Sequence, residues 1–183
     1  YEGNQEQIKA SVRALLEMIK VAPEHVTIPL LAMNFRTPLA SISPITTVIF
    51  ITGPTGCLKS TLLALKLSSF GRSFSHQRLP GNFESTANSI ENIGFRLEYV
   101  PFGIDDLAPD GSLSDVQSKT KIAARTIRGA GNGEGAGRYR MNKDGSLQIP
   151  NYFRGSIDMT AEDVVKGSSV RARLSILPLS DGD

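Results

Sequence analysis

Ile45-Thr46-Thr47-Val48-Ile49-Phe50-Ile51-Thr52-Gly53-Pro54-Thr55-Gly56-Cys57-Leu58-Lys59-Ser60-Thr61 decides the fold of this chain. Its first eight residues are mostly β-branched or aromatic, the composition of a strand. Gly53 to Thr61 then form a glycine-containing turn. Leu62-Leu63-Ala64-Leu65-Lys66-Leu67 follows as an apolar run of good helix formers. Strand, glycine-rich turn and helix, in that order, make a phosphate-binding loop. Glycines let the backbone fold tightly, so that N–H groups converge on an anion. The start of the helix adds unpaired N–H groups and the positive end of its dipole. Lys59 supplies a point charge for the outer phosphates and the Ser60 hydroxyl a ligand for Mg2+. All nine residues, Gly53, Pro54, Thr55, Gly56, Cys57, Leu58, Lys59, Ser60 and Thr61, are expected to contact nucleotide. One departs from the motif G-x-x-x-x-G-K-[ST]: Leu58 stands where the motif has glycine.

A nucleotide site of this kind needs an acidic partner for its metal, and the sequence offers one downstream. Tyr99-Val100-Pro101-Phe102-Gly103-Ile104 reads as a short buried strand running into Asp105-Asp106. Asp105 is the expected Mg2+ residue and Asp106 the carboxylate that orients the attacking water.

Upstream, Gln5 to Val21 reads as an amphipathic helix with Ile8, Val12, Leu15, Leu16 and Ile19 on one face, closed by Pro23. His25 to Phe35 reads as a second helix, with His25 a surface or capping residue. Downstream of the loop, Leu79 to Asn82 reads as a turn and Ser85-Thr86 as the cap of another helix. Ser112 to Arg128 reads as a helix with Leu113, Val116, Thr120, Ala123 and Ile127 inward. Lys121, Arg125 and Arg128 recur on another face. Gly129 to Gly137 reads as a mobile glycine-rich loop bordered by Arg138 and Arg140. Gln117 to Lys143 holds seven Lys or Arg against one acid, Glu134. Lys121, Arg125, Arg128, Arg138 and Arg140 are therefore candidates for phosphate or nucleic-acid contact. Asn151 to Met159 reads as a strand, and Leu174 to Leu179 as an edge strand because Pro178 lacks a donor.

Composition sets the frame. The chain has 183 residues, is 40% hydrophobic and 21% charged, and carries a formal net charge of +2. That suits one α/β domain and does not by itself demand nucleic acid. The single cysteine, Cys57, cannot form an internal disulfide, which points to an intracellular, cytoplasmic setting. No apolar run reaches membrane-spanning length. No His/Cys cluster suggests zinc.

Beyond the phosphate loop the chain resembles the P-loop ATPase domain of primase-helicase-type proteins from bacterial plasmids, integrative elements and phages. The resemblance rests on Gly53-Pro54-Thr55-Gly56-x-x-Lys59-Ser60, including the non-glycine at position 58. It continues through Leu79 to Asn88, Ile104-Asp105-Asp106-Leu107-Ala108-Pro109, Arg154-Gly155, Thr160-Ala161-Glu162-Asp163 and Ser168 to Leu174. It differs at Pro101, Gly103 and Asp158-Met159. It implies that Thr160 senses the γ-phosphate, and that Arg171 or Arg173 stabilises phosphoryl transfer in cis or from a neighbouring subunit, with Arg138 and Arg140 as second candidates.

The expected fold is therefore α/β: a P-loop NTPase with a mainly parallel sheet flanked by helices. A helical lead-in over residues 1–43 precedes a nucleotide-binding core over 44–183, together one domain and a fragment of a longer protein. The expected ligands are ATP and Mg2+, the expected activity ATP hydrolysis driving DNA remodelling or translocation, and the expected assembly a ring working on single-stranded DNA. A small-molecule kinase and a non-hydrolysing nucleotide- or DNA-binding module remain the alternatives at this level.

Overall fold

The computed structural model describes residues 3–108, 111–133, 144–145 and 151–182, together with the backbone at 140–141 and 147–148. The helices are α1 (Gln5–Leu16), α2 (Glu24–Arg36), α3 (Lys59–Ser68), α4 (Ala87–Arg96), α5 (Leu113–Asn132) and α6 (Ser168–Arg171). The strands are β1 (Val48–Thr52), β2 (Gly81–Asn82), β3 (Phe102–Leu107), β4 (Arg140–Met141), β5 (Leu147–Gln148), β6 (Ile157–Ala161) and β7 (Leu174–Pro178). Five of them form one sheet in the order β2-β3-β6-β1-β7, every pairing parallel. β4 and β5 pair antiparallel with each other. Edge placement of β7 agrees with the reading of Pro178.

Side-chain alternation on the strands divides the core in two. Ile49 and Ile51 face α3 and the lead-in, packing with Met18, Val26, Leu30, Leu62, Leu63 and Leu67. Val48, Phe50, Phe102, Ile104, Ile157 and Met159 face the other way, against Ile90, Ala123 and Ile127 of α4 and α5. Each such side chain, fully withdrawn from water, contributes about 1.5–3 kcal/mol. The lead-in is thus fastened to the sheet through Met18, in a 3-10 turn over Glu17–Lys20, and through α2, and His25 Nε2 lies 3.0 Å from the Pro178 carbonyl.

Several boundaries differ from those read in the sequence. α1 stops at Leu16 and a 3-10 turn, Glu17–Lys20, follows; none of α1's residues is buried, and Ile8, Val12 and Leu16 stay exposed. The expected turn at Leu79–Asn82 supplies edge strand β2. β3 starts and ends later than expected, so Asp105 and Asp106 lie within it: Leu107 still pairs with Ala161 across a bulge after Ile104. The expected strand from Asn151 begins only at Ile157. α5 runs four residues past Arg128, taking in the first part of the expected loop. Gly129 and Ala130 are buried there, because small residues let the helix end pack closely. Gly133 caps it in the left-handed conformation. Leu113, expected to face inward, is 84% exposed, since burial in α5 falls on Ala123 to Ala130. Glu134 to Tyr139, with Arg138, lie outside the described residues.

One ion pair sits inside this core. Lys66 Nζ of α3 and Asp158 Oδ2 of β6 are 2.5 Å apart, both side chains fully buried. Burial pushes the Lys66 pKa down and the Asp158 pKa up, and each charge opposes the shift of the other. Removing one partner strands the other in a medium that solvates it poorly. Lys66→Met is expected to cost about 3–5 kcal/mol, whereas Lys66→Met with Asp158→Val recovers most of that loss. Urea unfolding of the four proteins of this cycle measures it, and additive losses would show that the pair is not coupled.

Candidate nucleotide site

Because the strands are parallel, their C-terminal ends meet along one edge, where an open α/β sheet binds its ligands. Thr52 pairs with Ala161 and Ala161 with Leu107, which brings the ends of β1, β6 and β3 side by side. The turn after β1 is anchored there: Gly53 N–H donates to the Ala161 carbonyl at 3.3 Å. A Cβ on Gly53 would stand 2.5 Å from the Leu179 carbonyl oxygen and 2.8 Å from Cys57 Sγ, so only glycine fits. Cys57 is spent inside the turn, its thiol donating to the Pro54 carbonyl at 3.0 Å.

Leu58 explains both the motif and the departure from it. Its φ is 59°, in the left-handed region, which is why the motif carries glycine there. The leucine adopts the same backbone at a cost of about 1–2 kcal/mol, and its side chain escapes the turn by pointing outward, 66% exposed. The helix therefore starts on schedule at Lys59. The Lys59 ammonium rests on the loop's own carbonyls, 2.7 Å from Gly53 O and 2.7 Å from Pro54 O.

Three side chains predicted from the sequence converge. Ser60 Oγ donates to Asp105 Oδ1 at 2.8 Å, and the Thr160 hydroxyl donates to the same oxygen. Asp106 N–H in turn donates to Thr160 Oγ1 at 3.1 Å. This last contact requires Asp106 to adopt φ 65° at the bulge. The α3 helix reaches Asp105 because β3 carries glycine at the crossing: a Cβ on Gly103 would lie 2.7 Å from Leu67 Cδ1. Gly103, a departure at the level of sequence, thus permits a close helix–strand contact. Ser60 and Asp105 offer hard oxygen donors 2.8 Å apart, a set that fits Mg2+, which takes one or two carboxylate ligands and completes its shell with water and phosphate.

A cleft of about 370 Å³ opens over these groups, lined by Thr55, Gly56 and Leu58 to Thr61 of the loop, by Asp105, Asp106 and Thr160, and by His76 and Glu162. The last two were not read from the sequence. Glu162 follows β6 directly, and its carboxylate accepts a hydrogen bond from the Thr55 hydroxyl.

The basic candidates do not gather here. Arg125 is engaged with α4, Nε 2.8 Å from Glu91 Oε1 and Nη2 3.1 Å from Asn88 Oδ1. Lys121 and Arg128 are exposed on α5. Only the backbone of Arg140 is described. Arg173 precedes β7, and Leu174 pairs with Val48, the first residue of β1, so Arg173 lies at the opposite end of the sheet from the loop. Its guanidinium binds Asn132 Oδ1 at 2.7 Å and the Ser169 carbonyl at 2.5 Å. Arg171 is exposed on α6, at that same end.

The architecture is that of an α/β P-loop-type fold with a helical start. Among solved structures the chain is similar to one described as "SCCmec type IV Cch - active helicase", with a TM-score of 0.53 and 18% identity. The match covers 97% of this chain and 31% of that one, so the chain spans about a third of the helicase's length. At that identity the likeness concerns the fold. No family model and no curated protein matches the chain. Among the described residues no helix is long and apolar enough to cross a membrane.

Replacing the left-handed leucine tests the cost assigned to it. Leu58→Gly is expected to stabilise the fold by about 0.5–1 kcal/mol, relief of strain outweighing the added freedom of the unfolded chain. Thermal unfolding should shift upward by about 2–3 °C; a downward shift would mean that the Leu58 side chain makes a stabilising contact.

Proposed function

We propose that the cleft binds ATP with Mg2+ and hydrolyses it. The observation that carries this reading is the convergence of Ser60 and Thr160 on Asp105 beside the phosphate loop. Metal-site, polar strand-end and loop residues come from three separate elements, and a glycine-rich turn that bound nothing would have no need of them.

In this reading the N–H groups of the loop and of the first turn of α3 hold the phosphates, and Lys59 leaves the Gly53 and Pro54 carbonyls to pair with the outer ones. Ser60 and Asp105 would hold Mg2+, which would supply positive charge to offset that of the phosphates. Thr160, buried between them, reports the presence of the γ-phosphate to β6 and to the Asp106 main chain. A carboxylate of the cleft orients the water, Asp106 being the candidate named by sequence. The work done with ATP is DNA remodelling or translocation in the replication of a mobile element, by copies arranged in a ring. The helicase likeness of the fold and the exposed bases of α5 support it.

Lys59→Ala is expected to lower affinity for ATP and turnover by at least about 100-fold while the fold persists, because Lys59 contributes charge rather than packing. Asp105→Asn should instead raise the Mg2+ concentration needed for half-maximal rate. Phosphate release assayed across a Mg2+ titration measures both, and unchanged turnover in Lys59→Ala would overturn the site.

Single-stranded DNA, where it binds, should do so through exposed bases such as Lys121 and Arg128. Log affinity should fall with log salt by roughly 0.7 for each phosphate contact. Lys121→Ala with Arg128→Ala should flatten that slope in fluorescence anisotropy titrations, and an unchanged slope would remove α5 from the DNA surface.

A further inference from the structure

We propose that Glu162 is the carboxylate that accepts the proton of the attacking water. This deepens the hydrolysis reading above and rests on it. The outer-phosphate end of the cleft is marked by the Lys59 ammonium, which lies on the carbonyls of Gly53 and Pro54. Thr55 is the next residue of the loop, and its hydroxyl donates to Glu162 Oε1. Glu162 is therefore aimed at that end by a residue of the phosphate loop itself. Its backbone is held as well: Glu162 N–H donates to the Leu107 carbonyl at 3.3 Å, tying the chain after β6 to the end of β3. The side chain is half-buried and lines the same cleft as Lys59 and Ser60.

Asp106 is placed differently. It is exposed and left-handed at a bulge, and what it brings to the site is a main-chain N–H on Thr160. No hydrogen bond to its carboxylate is found among the described residues. A general base works when it is held within reach of the proton it takes, and of the two carboxylates Glu162 is the one so held. In the step, the water oxygen bonds to the γ-phosphorus. The bond from that phosphorus to the β–γ bridging oxygen breaks, its electron pair remaining on ADP. The water proton passes to the Glu162 carboxylate and then to solvent. Asp106 remains the residue whose main chain braces Thr160.

The test pairs turnover with nucleotide affinity in the intact chain. Glu162→Gln is expected to lower kcat by about 100-fold or more with KM within about threefold, and Glu162→Asp to restore part of the rate. Thr55→Val, which removes the orienting hydroxyl, should lower kcat by a smaller factor, and Asp106→Asn should leave more activity than Glu162→Gln. A second measurement does not depend on turnover. In competition with a fluorescent ATP analogue, Glu162→Gln should tighten binding of ATP and leave ADP unchanged, because one negative charge facing the γ-phosphate is gone. Glu162→Gln at full kcat, or an equal change for ATP and ADP, overturns the assignment while the nucleotide site stands. Wild-type protein that binds neither nucleotide overturns the site and this assignment together.

Discussion

Two hydroxyls on one carboxylate oxygen hold the site together. Ser60 comes from the helix after the loop, Thr160 from the strand beside β1, and Asp105 from the strand beyond it. Their meeting requires α3, β6 and β3 to keep one mutual register, and the rest of the core supplies it. The ladder from Thr52 through Ala161 to Leu107 levels the strand ends. Gly103 lets α3 lie directly on β3. Lys66 and Asp158 pin the last turn of α3 to β6, six residues from Ser60 and two residues from Thr160. Buried ion pairs are weak sources of net stability and good specifiers of a single arrangement. That fits a pair whose sliding by one turn would carry Ser60 away from Asp105.

Among the described residues, two of the three non-glycine residues with left-handed backbones lie along the same edge, the third being Tyr99, ahead of β3. Leu58 and Asp106 both take left-handed backbones, each costing about 1–2 kcal/mol for a residue other than glycine. Each has a local reason. Leu58 inherits the path of the phosphate loop. Asp106 turns its N–H onto Thr160, which gives that hydroxyl a donor to accept from while it donates to Asp105. The network is satisfied in a directional chain: Asp106 N–H to Thr160, then Thr160 to Asp105, with Ser60 as the second donor. Polar groups connected in this way are held against the low dielectric of a strand end rather than left to compete for water.

How far the sequence was legible depends on how local each signal was. The loop, Lys59 and Ser60 were legible because glycine, lysine and hydroxyl chemistry sit within nine adjacent residues. Asp105 was legible because an apolar run leads into it. Thr160 came from resemblance, and its place beside Asp105 needed the sheet order. Lys66 gave a faint hint, a lysine spaced with Leu62, Leu63 and Leu67 on an apolar face, but its partner lies 92 residues away. Glu162 stood within the stretch Thr160 to Asp163 that carries the resemblance, but its place at the site comes from Thr55, 107 residues earlier. Glycines misled at Gly129 and Gly131, where they permit close packing rather than looping: the Arg173 side chain occupies the space a Cβ on Gly131 would need.

That last contact bears on where an arginine could act. No arginine lines the cleft among the described residues. Five residues of β7 separate Arg173 from the loop end of the sheet, roughly 16 Å at about 3.3 Å per residue. Its guanidinium is occupied in fastening the end of α5 to α6. Arg171 sits at the same far end with its side chain in solvent. Within one copy neither reaches a phosphate held by Lys59. Bringing Arg173 to the cleft would first require breaking its hold on Asn132 and Ser169.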